Sequence, residues 1–235
     1  MIIAVPVAII ATILTAAFTG MGCTLGNGHF WGYWPGHIWG KVITWAFLLP
    51  VKVEGRENIE EGHSYVFVAN HQGQFDIFLI YGFLNRHFKW MMKYQLRKMP
   101  CVGYACEKSH QIFVDRRSPS KVKKTIDEAR ATLKDGMSLV IFPEGARTFT
   151  GKMGPFKKGA YQLALEFNLP LVPVTIDGSF AVLPRTRMLP RPGHIELTIH
   201  PQIAAPTDEA ARGEVIELTR KAIESALPGG REPVA

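Results

Sequence analysis

From Ile2 to Phe18 the chain is almost continuously apolar, interrupted only by Pro6 and the small residues Thr12 and Thr15. A bilayer-crossing helix needs about 20 apolar residues, so this run predicts a membrane helix at the short end of that range. A second run starts at His29-Phe30-Trp31-Gly32-Tyr33-Trp34 and continues through Ile38, Trp39, Val42, Ile43, Trp45, Phe47, Leu48 and Leu49. Four of the five tryptophans lie between Trp31 and Trp45. Amphipathic rings collect where hydrocarbon meets the headgroup layer. The pattern therefore predicts a second helix, re-entrant or lying in the interface, closed by Pro50. A buried core helix is the competing reading of the same residues.

At Val51 the texture changes to short β-branched and aromatic runs separated by longer mixed ones. Val51–Val53, Tyr65–Ala69, His87–Met92, Gln111–Val114, Ser138–Phe142, Leu171–Ile176 and His194–His200 read as strands. Helices are expected over Phe75–Leu84, Ser120–Lys134, Lys157–Phe167 and Asp208–Ala226. Ser118-Pro119-Ser120 caps the second of these, Lys134-Asp135-Gly136 ends it, and Thr207-Asp208-Glu209 opens the last. This alternation predicts an α/β fold, with a mostly parallel central sheet flanked by helices and ligands at the strands' carboxyl ends. The expected organisation is a membrane-anchoring two-helix segment (1–50), an α/β domain (51–228) and a flexible tail (229–235).

Charge sharpens this division. Residues 1–40 contain no Asp, Glu, Lys or Arg, so all 27 basic and 20 acidic residues, and the net charge of +7, lie beyond Gly40. A basic domain behind an uncharged segment suits an anionic surface or a phosphate-bearing ligand. A cleaved signal would need a basic stretch before its apolar run, which is missing here. Gly20 occupies the place where a lipoprotein cleavage site needs a large aliphatic residue, so a retained anchor is the reading adopted. The three cysteines, Cys23, Cys101 and Cys106, form no Cys-x-x-Cys pair. That spacing argues against a disulfide framework or a zinc site and suits reduced thiols on a cytosolic face.

The chemistry begins at Asn70-His71-Gln72-Gly73-Gln74-Phe75-Asp76, directly after an apolar strand. A strand-to-helix turn lets the Asp76 carboxylate fold back onto the His71 imidazole, with Gly73 permitting the tight turn. Such a pairing fixes the tautomer and leaves the other ring nitrogen free to take a proton. His71 is then a general base and Asp76 its orienter. The bland alternative is a helix-capping aspartate beside a structural histidine. No serine or cysteine sits in a nucleophile elbow, so direct attack by a substrate hydroxyl is favoured over an acyl-enzyme. A second block, Phe142-Pro143-Glu144-Gly145-Ala146-Arg147-Thr148, also follows an apolar strand and belongs on the same rim. Arg147 offers a planar fork of donors for a phosphate monoester. Glu144 can accept from Arg147 or from a nearby backbone, and Gly145 lets the chain approach an anion closely. A surface Arg–Glu pair on an ordinary loop is the alternative.

Together, Asn-His-x4-Asp and Phe-Pro-Glu-Gly-x-Arg resemble the glycerolipid acyltransferase family, most of all the bacterial 1-acyl-sn-glycerol-3-phosphate acyltransferases. His110-Gln111-Ile112-Phe113-Val114-Asp115-Arg116 resembles that family's second block, and Val172-Pro173-Val174-Thr175-Ile176-Asp177-Gly178-Ser179 its fourth. The blocks occur in family order from Asn70 to Ser179, and Lys93 matches a lysine common between the first two. His110 stands where glycine is usual, Gln72-Gly73-Gln74 replaces a more common Gln-Ser stretch, and Gln95 replaces a frequent Glu.

The resemblance implies a reaction. Arg116 and Arg147 hold the phosphate of lysophosphatidic acid, while His71 deprotonates its sn-2 hydroxyl. The oxygen then attacks the thioester of acyl-CoA or acyl-carrier protein, giving phosphatidic acid for phospholipid biosynthesis. The oxyanion would be met by a backbone N–H near Gly145 or by the Lys93 ammonium. No cofactor or metal is expected, nor any nucleic-acid partner, since no recognition helix or stacking platform accompanies the basic residues. Membrane lipids are expected partners, because extracting an acyl chain costs about 0.8 kcal/mol per CH₂. The domain should face the cytoplasm on the inner membrane, with Arg185, Arg187 and Arg191 as candidate lipid contacts. Rival readings are acylation of another lysolipid, carrying an amino acid or a larger headgroup, and a non-catalytic lipid-binding scaffold.

Overall fold

The computed structural model describes residues 2–115, 117–133 and 136–229. Three helices open the chain: α1 (Ala4–Leu25), the single turn α2 (Gly28–Trp31) and α3 (Trp34–Ala46). Strands and helices then alternate through β1 (Val51–Glu54), β2 (Val66–Ala69), α4 (Phe75–Phe83), β3 (Phe88–Lys93), α5 (Val102–Lys108), β4 (Ile112–Val114) and α6 (Pro119–Thr132). The remainder is β5 (Ser138–Ile141), α7 (Gly159–Phe167), β6 (Leu171–Asp177), α8 (Ser179–Val182), β7 (Ile195–Ile199) and α9 (Ala211–Ser225).

The seven strands form a sheet in the order β1-β7-β6-β2-β5-β3-β4. Every neighbouring pair is parallel except β6 with β7. β2 and β5, near the middle, are buried at all four positions, as continuous apolar runs covered on both faces should be. β7 instead alternates buried and half-exposed residues, the mark of one covered face. One face of the sheet carries α3 and α4, around a cluster that includes Phe67, Phe75, Leu79, Ile80 and Trp90. The other carries α6, α7 and α9, around Val66, Val68, Leu139, Leu163 and Ile223. Because β2 to β6 run in one direction, the loops that follow β2, β5, β3, β4 and β6 emerge on a common rim.

The amino-terminal helices partly satisfy both readings of their sequence. Among the described residues, α1 is the one helix long and apolar enough to cross a membrane. It presents Ile9, Ile10, Ile13, Leu14, Phe18 and Met21 outward. α3 is two-faced: His37, Gly40, Ile43 and Thr44 are buried, whereas Trp34, Ile38 and Trp45 are exposed. The aromatic run is therefore core on one side and apolar surface on the other. α3 also stops at Ala46 rather than running to Pro50, because Leu48 takes a left-handed conformation (φ 53°). The Leu49 and Leu48 amides turn back to Thr44 and Trp45, a Schellman-type ending.

The α3–α4 contact depends on Gly40. A Cβ there would lie 2.4 Å from the Phe78 carbonyl oxygen and 2.6 Å from the Gly82 nitrogen, both backbone atoms that cannot swing aside. Gly40→Val is expected to lower stability by about 1–3 kcal/mol, read as a drop in the thermal midpoint in detergent, with exposed Lys41→Ala as the neutral control.

Candidate active site

His71 leaves the end of β2 on a turn whose hydrogen bonds are nearly all fixed by side chains. Asp76, on the first turn of α4, is fully buried. Its Oδ2 accepts from His71 Nδ1 at 2.7 Å, from the Gln72 amide at 2.6 Å and from the Gly73 amide at 2.9 Å. One carboxylate oxygen thus shapes the turn and orients the ring. With Nδ1 committed to Asp76, Nε2 carries the free lone pair, as a general base requires. The capping reading of Asp76 gives way here: it binds amides of the turn before the helix together with the imidazole. Gly73 is needed for space rather than for an unusual φ. A Cβ on it would meet Ser179 Oγ at 2.5 Å and the Ser179 carbonyl oxygen at 2.7 Å.

Asn70 holds the root of the turn. Its amide donates to the Ile176 carbonyl (2.9 Å) and accepts from the Ile176 N–H (2.8 Å), clamping the loop to β6. The His71 ring stacks on Phe142, with centroids 3.9 Å apart and planes 6° from parallel, and Phe142 stacks in turn on Trp90. The stack supports the plane of an imidazole that is mostly buried, its side chain 13% exposed.

The second loop is bonded directly to the first. Glu144 Oε1 accepts the His71 amide at 2.7 Å and Oε2 accepts the Gly154 amide at 2.7 Å, while the Thr148 amide donates to the His71 carbonyl. Burial pushes the Glu144 carboxyl above its ordinary range, and the two amides oppose that shift. Both Glu144 oxygens accept from backbone amides, so its carboxylate ties the second loop to the His71 turn and to Gly154. Gly145 adopts φ 73°, where a side chain would be strained. The Gly145 N–H donates to the Phe142 carbonyl at 3.0 Å, so it is not a free oxyanion donor. The neighbouring Ala146 and Arg147 amides donate to no described residue.

The Arg147 guanidinium makes no hydrogen bond or ion pair to any described residue, so the surface Arg–Glu pair does not form. Lys93 ends β3, exposed and likewise unpaired among the described residues. Arg116 lies outside the described residues, as do Lys134 and Asp135 and the tail from Gly230. Its neighbour Asp115 is held well below the usual carboxylate range by hydrogen bonds from Arg117, whose guanidinium lies over Tyr94. Sequence reasoning singled out neither Phe142 as the ring under His71 nor the Asn70 clamp, although both residues lie inside the two motifs.

A His–Asp pair with a free imidazole nitrogen lies on the carboxyl rim of a mostly parallel sheet, beside a loop whose arginine has no partner among the described residues, the place where open α/β sheets carry their sites. The chain belongs to the acyltransferase family, whose sequence profile matches residues 50–177. It is 29% identical over 201 residues to a 1-acyl-sn-glycerol-3-phosphate acyltransferase of Cocos nucifera, covering 85% of this chain and 65% of that one. The Saccharomyces cerevisiae protein of the same name is 32% identical over 161 residues, 67% of this chain and 53% of its own. The chain thus spans between about half and just under two thirds of the length of these relatives. The crystal structure of the 1-acyl-sn-glycerophosphate (LPA) acyltransferase PlsC from Thermotoga maritima superposes with a TM-score of 0.66 at 26% identity, covering 97% of this chain and all of that one.

Proposed function

We propose that this protein transfers a fatty acyl group from acyl-CoA or acyl-carrier protein to the sn-2 hydroxyl of 1-acyl-sn-glycerol 3-phosphate, forming phosphatidic acid. The observation that carries the reading is the free Nε2 of an Asp76-oriented His71, on a loop bonded to the one that presents an unpaired Arg147. The names of the relatives support the same acceptor.

In the reaction, Nε2 of His71 takes the hydroxyl proton as the oxygen attacks the thioester carbonyl, and Asp76 stabilises the imidazolium that results. Arg147, with Arg116, holds the phosphate and so fixes the hydroxyl against the base. Charge growing on the carbonyl oxygen is met by the unbonded amides of Ala146 and Arg147, or by the Lys93 ammonium. Collapse of the tetrahedral species expels the thiol, which recovers the proton from His71. The step asks for no cofactor beyond the thioester.

The exposed apolar faces of α1 and α3 support seating in a membrane, where the lysolipid arrives without leaving hydrocarbon. We place the protein at the inner membrane with its site toward the cytoplasm, where both thioester donors are found.

The test compares lysophosphatidate with 1-acylglycerol, which has the same hydroxyl but no phosphate. Wild type should strongly prefer lysophosphatidate. Arg147→Ala should raise the KM for lysophosphatidate about 10–100-fold, the worth of a charge-assisted contact, and erase most of the preference. Equal use of both acceptors by wild type would contradict the assignment.

A further inference from the structure

A cavity of about 420 Å³ opens beside this site, on the other face of the sheet from the His71 ring. Met91, Ile126 and Leu163 form its floor and belong to the apolar cluster beneath α6, α7 and α9. Val114, the last residue of β4, brings the cavity to the sheet's carboxyl rim. Lys157, Lys158 and Arg212 stand around it, and among the described residues no Asp or Glu lines it. Arg212 is already engaged by Gln162 and Glu209. Lys157 and Lys158 are exposed and form no ion pair with any described residue. Two uncompensated ammonium groups over an apolar floor suit an anionic group attached to a less polar body.

The cavity is mechanically joined to the base. The Lys157 amide donates to the Pro143 carbonyl at 2.9 Å, and its Nζ lies 2.6 Å from where a Cβ of Gly145 would be. Between those two residues sits Glu144, which holds the His71 amide. Direction of approach identifies the ligand. The exposed apolar surfaces of α1 and α3 belong to the opposite side of the sheet, with the first cluster. With those faces seated in the membrane as proposed above, a ligand entering between α6 and α7 comes from the aqueous side.

In the reaction proposed above, on which this inference rests, the lysolipid comes from the bilayer and the thioester from water. Coenzyme A and carrier protein share one phosphate-bearing element, the 4′-phosphopantetheine arm. We propose that this cavity holds the phosphate end of that arm, with Lys157 and Lys158 on the phosphate and the arm crossing Pro143–Gly145 to bring the thioester to His71. Acceptor and donor then reach the base from opposite faces of the sheet, so neither blocks the other.

The test uses the full-length protein in mixed micelles, with whichever donor wild type turns over. Each substrate is varied at saturation of the other, for wild type, Lys158→Glu and Arg212→Gln. Lys158→Glu should raise the donor KM about tenfold or more and leave the lysophosphatidate KM unchanged, which also shows that the variant is folded. Arg212→Gln should raise the donor KM by less, because Arg212 is already paired. As inhibitors of wild type, 4′-phosphopantetheine should compete with the donor more tightly than pantetheine, and Lys158→Glu should abolish the difference. An unchanged donor KM, a rise confined to the acceptor, or equal inhibition by the two pantetheines overturns the assignment. A wild type that makes phosphatidic acid yet fails these comparisons overturns the cavity's role alone. One that makes none with either donor overturns the reading beneath it.

Discussion

Replacing His71 with alanine is expected to lower the rate of acyl transfer about 10²–10⁴-fold, the usual worth of a positioned general base. The imidazole is held from both motif loops at once. Asp76 holds it through Nδ1, Phe142 lies beneath its plane, and Glu144 fixes its backbone. Losing the ring removes the proton acceptor but few of these supports, since Asp76 still accepts the Gln72 and Gly73 amides. The loss should therefore fall on kcat, with KM for lysophosphatidate nearly unchanged and the fold intact by circular dichroism. A lipid-binding scaffold would instead bind vesicles equally well with or without His71, and wild type would show no turnover to lose.

The second large effect belongs to Asp76, where two substitutions separate structure from chemistry. Asp76→Ala leaves three donors without an acceptor in a fully buried setting. Unsatisfied buried donors cost about 1–3 kcal/mol each, so the variant should be strongly destabilised and yield little folded protein. Asp76→Asn keeps the volume and one oxygen, so the amides of Gln72 and Gly73 can remain bonded. The same oxygen can still accept from His71 Nδ1, but a neutral amide no longer stabilises the imidazolium that forms during the reaction. Its thermal midpoint should fall modestly while kcat falls about 10²-fold or more. If Asp76→Asn instead retained full activity with a normal midpoint, the pair would be structural and His71 would need another partner.

Much of this site was legible in the sequence because its chemistry is local. His71 and Asp76 are five residues apart, Glu144 and Arg147 three, and each motif directly follows a strand that its apolar run announces. The seven expected strands all form, within a residue or so of their expected ends, since β-branched runs such as Val66–Ala69 and Leu171–Asp177 are buried on both faces. Helix starts carried readable signals where a cap existed: the Ser118 hydroxyl accepts from the Lys121 amide, and Asp208 accepts from the amides of Ala210 and Ala211. α5 was missed, because Val102–Lys108 has no side-chain cap and contains Gly103. Its position depends on Gly103 pressing against the Arg97 carbonyl, a tertiary contact that periodicity does not record. The reversal of β7 against β6 depends on long-range pairing, and the two-faced character of α3 on its packing against α4. The support for His71 was hidden for a related reason. Phe142 and Glu144 sit some seventy residues downstream, and the pairing of β2 with β5 brings the first beneath the ring and the second to the His71 amide.

The most direct test of the central claim is product identification from purified wild-type protein given 1-acyl lysophosphatidate and an isotopically labelled acyl thioester. Phosphatidic acid with the label confined to the sn-2 ester is expected, formed with acyl-CoA or acyl-carrier protein as donor. Labelled acyl groups found only on another lysolipid, or only as free fatty acid released by water, would contradict it.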